Sequence, residues 1–161
     1  MQTAILILGT GLFAGIAYWD VRTRRIPNEL IVGLLALATL RVALHGDPKS
    51  ALYTLVAGGT LFVAAFLLFW RGLVGGGDVK LIVATSFLIG YHDVLAFLFV
   101  MSLSGGLMAV AILAGDKIRL SRAATTAAEN QETKARLTVP YGVAIAVAGI
   151  FTLFIRSFVP G

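Results

Sequence analysis

Residues 2–28 read QTAILILGTGLFAGIAYWDVRTRRIPN. The run 2–19 carries no charge and is long enough for a membrane span. No basic segment precedes it, and no small-residue cleavage site separates it from the charged loop. It therefore reads as a retained span rather than a signal peptide. It closes on Asp20, then on Arg22, Arg24 and Arg25, before Ile26-Pro27-Asn28-Glu29 restarts a helix.

The same pattern recurs along the chain. Apolar segments run over 2–19, 28–44, 51–70, 79–91, 94–114 and 139–159, which predicts about six transmembrane helices and an all-α fold. The composition agrees: 58% hydrophobic, 13% charged and a mean hydropathy of +0.92, against about 25% charged residues in soluble domains. The 161 residues leave room for one membrane domain, 1–161, with a single long polar stretch over about 115–138. The fourth segment is short, covering about 18 Å as a helix against a roughly 30 Å hydrocarbon core. Arg41, near the end of the second, is expected to snorkel to the interface.

A net charge of +5 is read as a topology signal, not as affinity for nucleic acid. Arg22, Arg24, Arg25, Arg71, Lys80, Lys117, Arg119, Arg122, Lys134 and Arg136 fall on one side of the membrane; Arg41, Lys49 and Arg156 fall on the other. Ten against three makes the first side cytoplasmic, puts both termini outside, and makes 115–138 a cytoplasmic loop. The expected location is the plasma (inner) membrane.

On this topology Asp20, ending the first span, and Asp78, opening the fourth, share the cytoplasmic side and roughly a depth. Ionisable groups beside hydrocarbon are expensive and point to function. Asp47, in the His45-Gly46-Asp47-Pro48 turn, reads as a solvated loop residue. Asp93 is placed to cap the fifth span. Asp116 lies beside Lys117 as a solvated pair. His45 and His92 lie on the outer side.

Two carboxylates a few ångströms apart share one proton. The ionised member can activate water while the neutral one polarises a carbonyl, which is the requirement of aspartic peptide hydrolysis. No metal or cofactor is needed. The chain has no cysteine, which excludes thiol chemistry and thiolate metal sites. Gly75-Gly76-Gly77 before Asp78 is expected to supply positive φ or close backbone approach. Irregular backbone at that depth would line a wet cavity open to the cytoplasm.

Asp20-Val21-Arg22-Thr23-Arg24-Arg25-Ile26-Pro27-Asn28 and Gly75-Gly76-Gly77-Asp78-Val79-Lys80-Leu81 together resemble the type IV prepilin peptidases, intramembrane aspartic proteases of the GxGD group. Val139-Pro140-Tyr141-Gly142-Val143-Ala144 resembles the Pro-aromatic-Gly element that opens that family's last helix. The resemblance implies that Asp20 and Asp78 are the catalytic pair and that Gly75 and Gly77 are the motif glycines. It implies a pilin or pilin-like precursor as partner, cleaved at the cytoplasmic face just before its hydrophobic segment. Larger family members begin with two Cys-x-x-Cys pairs linked to N-methylation. Their absence here resembles the short, peptidase-only branch serving tight-adherence (Flp) pili, or the archaeal preflagellin peptidases; the motifs do not separate the two. The competing reading is a small ion- or proton-coupled transporter that uses the aspartates as ligands.

Overall fold

Every apolar run forms a helix, and the breaks fall at the glycine and proline signals. A computed structural model describes residues 2–123 and 141–158. Its elements are α1 (Gln2–Thr23), α2 (Asn28–His45), α3 (Pro48–Trp70), α4 (Gly76–Ile89), a 3₁₀ turn (Tyr91–Asp93), α5 (Val94–Ala123) and α6 (Tyr141–Phe158). No strand occurs among the described residues. Three spans, Thr3–Thr23, Pro48–Trp70 and Tyr91–Gly115, are long and apolar enough to cross a membrane by length and composition. An all-helical chain with three such spans is compatible with a polytopic membrane protein.

The turns follow local chemistry. Gly46, at φ 64°, ends α2 in the left-handed conformation that glycine adopts without a Cβ penalty. Asp47 then caps α3, accepting from the Lys49 and Ser50 amides at 3.1 Å each. Pro48 begins the helix at the position where its missing N–H is harmless. Asp47 is exposed, as expected of a loop residue, and serves as a cap as well.

α4 is the centre of the bundle and packs on α2, α3 and α6. At 14 residues it is only about 21 Å long. Leu81, Leu88 and Ile89 of α4 are fully buried, and they share a core with Phe13, Leu34, Phe97 and Ile145 from the other helices. Small residues set the spacing. A Cβ on Gly58 of α3 would lie 2.7 Å from the Phe87 ring. One on Gly149 of α6 would lie 2.5 Å from the Phe13 ring of α1. Such close crossings are how membrane helices gain packing energy when lipid is as apolar as their side chains. The outward faces carry Leu8, Val32, Leu55, Phe66, Leu95, Phe99 and Leu107, all exposed. In water this surface would be a liability; in a bilayer it is the solvated face.

Several expectations change. α1 continues past Trp19 to Thr23, so Asp20 sits inside its last turn rather than after it. α5 continues to Ala123, so the first nine residues of the expected 115–138 loop extend the fifth helix. The rest of that loop, with Lys134 and Arg136, and Val139 and Pro140 beyond it, lies outside the described residues, as do the side chains of His45 and the Asp116–Lys117 pair. Arg41 does not snorkel outward. It is half-buried and donates to the Leu88 carbonyl at the end of α4. Asp93 does not cap α5; it pairs with Arg156 at 3.2 Å. Arg156 also donates to the Ile89 carbonyl. A 14-residue helix ending among apolar neighbours leaves its last carbonyls without partners, and these two guanidiniums supply them.

Candidate active site

The two sequence motifs, some fifty residues apart, meet at one end of the bundle. Arg24, with φ 52° and its amide bonded to the Asp20 carbonyl at 2.9 Å, terminates α1. The chain then turns through Ile26 and Pro27 into α2. Ile26 lies beside Gly77, 3.8 Å from where a Cβ there would be. Lys80 Nζ donates to Asn28 Oδ1 at 3.3 Å. The loop after α1 therefore packs on the N-terminus of α4, and Asp20 and Asp78 come close enough for their charges to interact.

Each carboxylate is held by a helix start. Asp20 is 5% exposed. Its Oδ2 accepts from the Val143 amide at 3.1 Å in the first turn of α6, and the neighbouring Gly142 amide also bonds to it. Asp78 is half-buried and bonds back to the Gly75 backbone. Gly75 is the N-cap of α4 and Asp78 the third residue of that helix. This is the spacing at which a side chain reaches the N-cap amide. The positive N-terminal ends of α4 and α6 thus converge on an acidic pair, which favours negative charge between them.

Of the two roles expected of these glycines, positive φ is absent and close approach is present at Gly75. Positive φ occurs at Gly46, Gly72 and Gly90, not at Gly75 or Gly77. Gly75 is extended, at φ −71° and ψ 145°, and Gly76 and Gly77 are already helical. What Gly75 supplies is space: a Cβ there would sit 3.0 Å from Asp78 Oδ2. A Cβ on Gly77 would make ordinary contact.

Gly142 was missed as a site residue. A Cβ on it would lie 2.7 Å from both Cγ and Oδ2 of Asp20. The signal was in the Pro140-Tyr141-Gly142 element, which the resemblance places at a helix start. Its relation to Asp20, across more than a hundred residues, follows only from α6 packing along α1. Of the three arginines after Asp20, Arg24 lies near enough for its charge to act on that carboxylate. Arg22 turns instead to the Tyr18 hydroxyl at 2.6 Å.

A bundle of apolar helices with two interacting aspartates at one end defines a polytopic membrane protein with an intramembrane acidic site. Residues 6–110 match the type IV leader peptidase family, and the chain belongs to that family. The match covers both aspartates and stops before α6. The chain is also 34% identical over 102 residues to a prepilin leader peptidase/N-methyltransferase of Bacillus subtilis (strain 168), covering 62% of this chain. The aligned region spans 41% of that relative's length. No solved structure matches the chain.

Proposed function

We propose that this chain is an aspartic endopeptidase that removes the leader peptide of a type IV pilin precursor, with Asp20 and Asp78 as its catalytic pair. The observation that carries the reading is the meeting of these two carboxylates, from different helices, within hydrogen-bonding reach of the α4 and α6 starts. One carboxylate takes a proton from water and the other donates to the scissile carbonyl. The backbone groups of Gly75, Gly142 and Val143 at the two helix starts hold charge in place without reorganisation. Incubating the membrane-inserted chain with a pilin precursor should release the leader just before the hydrophobic segment. The transporter reading instead expects carboxylate-dependent ion flux and an intact precursor.

Within this reading the substrate is a pilin-like precursor of the tight-adherence (Flp) or archaeal preflagellin type, and the 161 residues hold no Cys-x-x-Cys pair of the kind linked to N-methylation. The site faces the cytoplasm of the inner membrane, supported by the ten-to-three distribution of basic residues. The chain lacks cysteine, so single cysteines report orientation directly. Thr125→Cys should label only from the cytoplasm and Lys49→Cys only from outside. Labelling of Thr125→Cys from outside intact cells would reverse the topology and move both aspartates to the other face.

The glycine geometry makes a graded prediction. Gly75→Val should slow cleavage about tenfold, the effect of ~1.4 kcal/mol on the barrier, because its Cβ presses on Asp78 Oδ2. Gly77→Val should do less. Gly59→Val and Gly106→Val point into open space and should leave the rate per inserted molecule unchanged. Equal rates for Gly75→Val and Gly59→Val would reduce the triple glycine to a connector.

A further inference from the structure

α2 and α3 both pack on α4 but scarcely on each other. Between them, towards the end remote from the aspartates, runs a cleft of about 560 Å³. Leu35, Thr39 and Val42 of α2, Leu52 and Leu55 of α3, and Phe87 of α4 line it. Through Val42, Ala51 and Thr54 it is continuous with a small polar pocket walled by Arg41, Asp47 and Ser50. From this cleft and the charges at its end, we infer that it holds one acyl chain of an anionic phospholipid, whose phosphate is taken by Arg41.

The unbalanced charge is the argument. Arg41 and Arg156 both crowd Gly90, whose φ of 85° and missing Cβ leave room for them: a Cβ there would lie 3.1 Å from two Arg41 nitrogens and 3.5 Å from one of Arg156. Asp93 pairs with Arg156. Among the described residues no carboxylate lies within ion-pair distance of Arg41. Asp47 faces the same pocket, but its two oxygens are engaged by the α3 amides. Around this end Arg41, Lys49 and Arg156 outnumber Asp47 and Asp93. Asp93 is near enough for its charge to reach Arg41 but is shared with Arg156, its ion-pair partner. Two guanidiniums to one carboxylate is costly in a membrane, and a phosphate is the anion the planar fork of Arg41 fits best. An anion carrying its own apolar chain meets both halves of the site.

The substrate's hydrophobic segment is a poorer occupant. Phe87, the floor of the cleft, is nine positions beyond Asp78. At 3.6 residues per turn that is half a turn round α4, so the cleft opens on the side away from the acidic pair. The lipid site is therefore independent of the catalytic reading.

The test uses the full chain, delipidated in detergent and titrated with phosphatidylglycerol or phosphatidylcholine in mixed micelles, or with inorganic phosphate alone. Phosphatidylglycerol should raise the unfolding temperature saturably, and neither comparator should match it. Arg41→Gln should weaken phosphatidylglycerol roughly fivefold or more, the effect of one basic residue on an anionic lipid. Because Arg41 also caps α4, that variant is open to misfolding. Ala51→Leu, which narrows the cleft and leaves every charge in place, should weaken phosphatidylglycerol likewise. Equal stabilisation by phosphatidylcholine, equal stabilisation by inorganic phosphate, or unaltered phosphatidylglycerol affinity in Ala51→Leu would each overturn the site.

Discussion

Asp20→Asn and Asp78→Asn should each abolish leader cleavage, with losses on the order of 10²-fold or more, while the protein still inserts. Either change removes one member of the pair that exchanges the proton. An asparagine keeps the shape and the acceptor oxygen, so the bond from the Val143 amide to position 20 survives. The loss should appear in kcat, not in the yield of folded protein. Asp47→Asn, Asp93→Asn and Asp116→Asn are the comparison set. Asparagine caps a helix about as well as aspartate, so Asp47→Asn should be nearly silent. Asp93→Asn leaves Arg156 without its ion pair; it should lower stability, not the rate per folded molecule. Near-normal processing of a pilin precursor by either Asp20→Asn or Asp78→Asn would remove that residue from the mechanism.

Much of this site was legible because its signals are local. The uncharged run before Asp20, the turn at Gly46-Asp47-Pro48 and the short fourth segment each state their structure within a few residues. The charge distribution placed Asp20 and Asp78 at one end before any helix packing was known. What the sequence left open depended on side chains that answer to distant neighbours. Arg41 looked like an interfacial arginine because its position near a helix end fits snorkelling. Its role at the end of α4 appears only when that helix stops inside the bundle. Asp93 had a turn position suited to capping, and Arg156, more than sixty residues away, claimed it.

The glycines show the same limit. Three in a row before an aspartate suggest unusual dihedrals, yet the residues that adopt positive φ in glycine turns are Gly46, Gly72 and Gly90. Gly75 matters through the oxygen beside it, and Gly142 through a carboxylate on another helix. A missing Cβ is visible in sequence; what would have collided with it is not.

Gly142→Ala should therefore be among the most damaging single-methyl changes in the chain. The added carbon would sit 2.7 Å from Asp20 Cγ, closer than packed atoms approach, so the carboxylate or the start of α6 must shift. A displacement near 1 Å at a reacting group can cost about 10²-fold. The loss should fall on kcat with KM little changed, since the α6 start holds Asp20 and is not argued to hold substrate. Val143→Pro reaches the same carboxylate by a different route: it deletes the amide that bonds Asp20 Oδ2 at a first-turn position where proline is tolerated. Both variants should keep their fold and lose turnover. Gly149→Ala supplies the contrast, seven residues on along the same face of α6. Its Cβ would meet the Phe13 ring at 2.5 Å, far from the aspartates, and overpacking of that kind costs about 1–3 kcal/mol of stability. It should reduce the amount of folded protein and spare the rate per folded molecule. If Gly142→Ala instead behaves like Gly149→Ala, losing protein but not turnover, then α6 only packs against α1 and does not position Asp20.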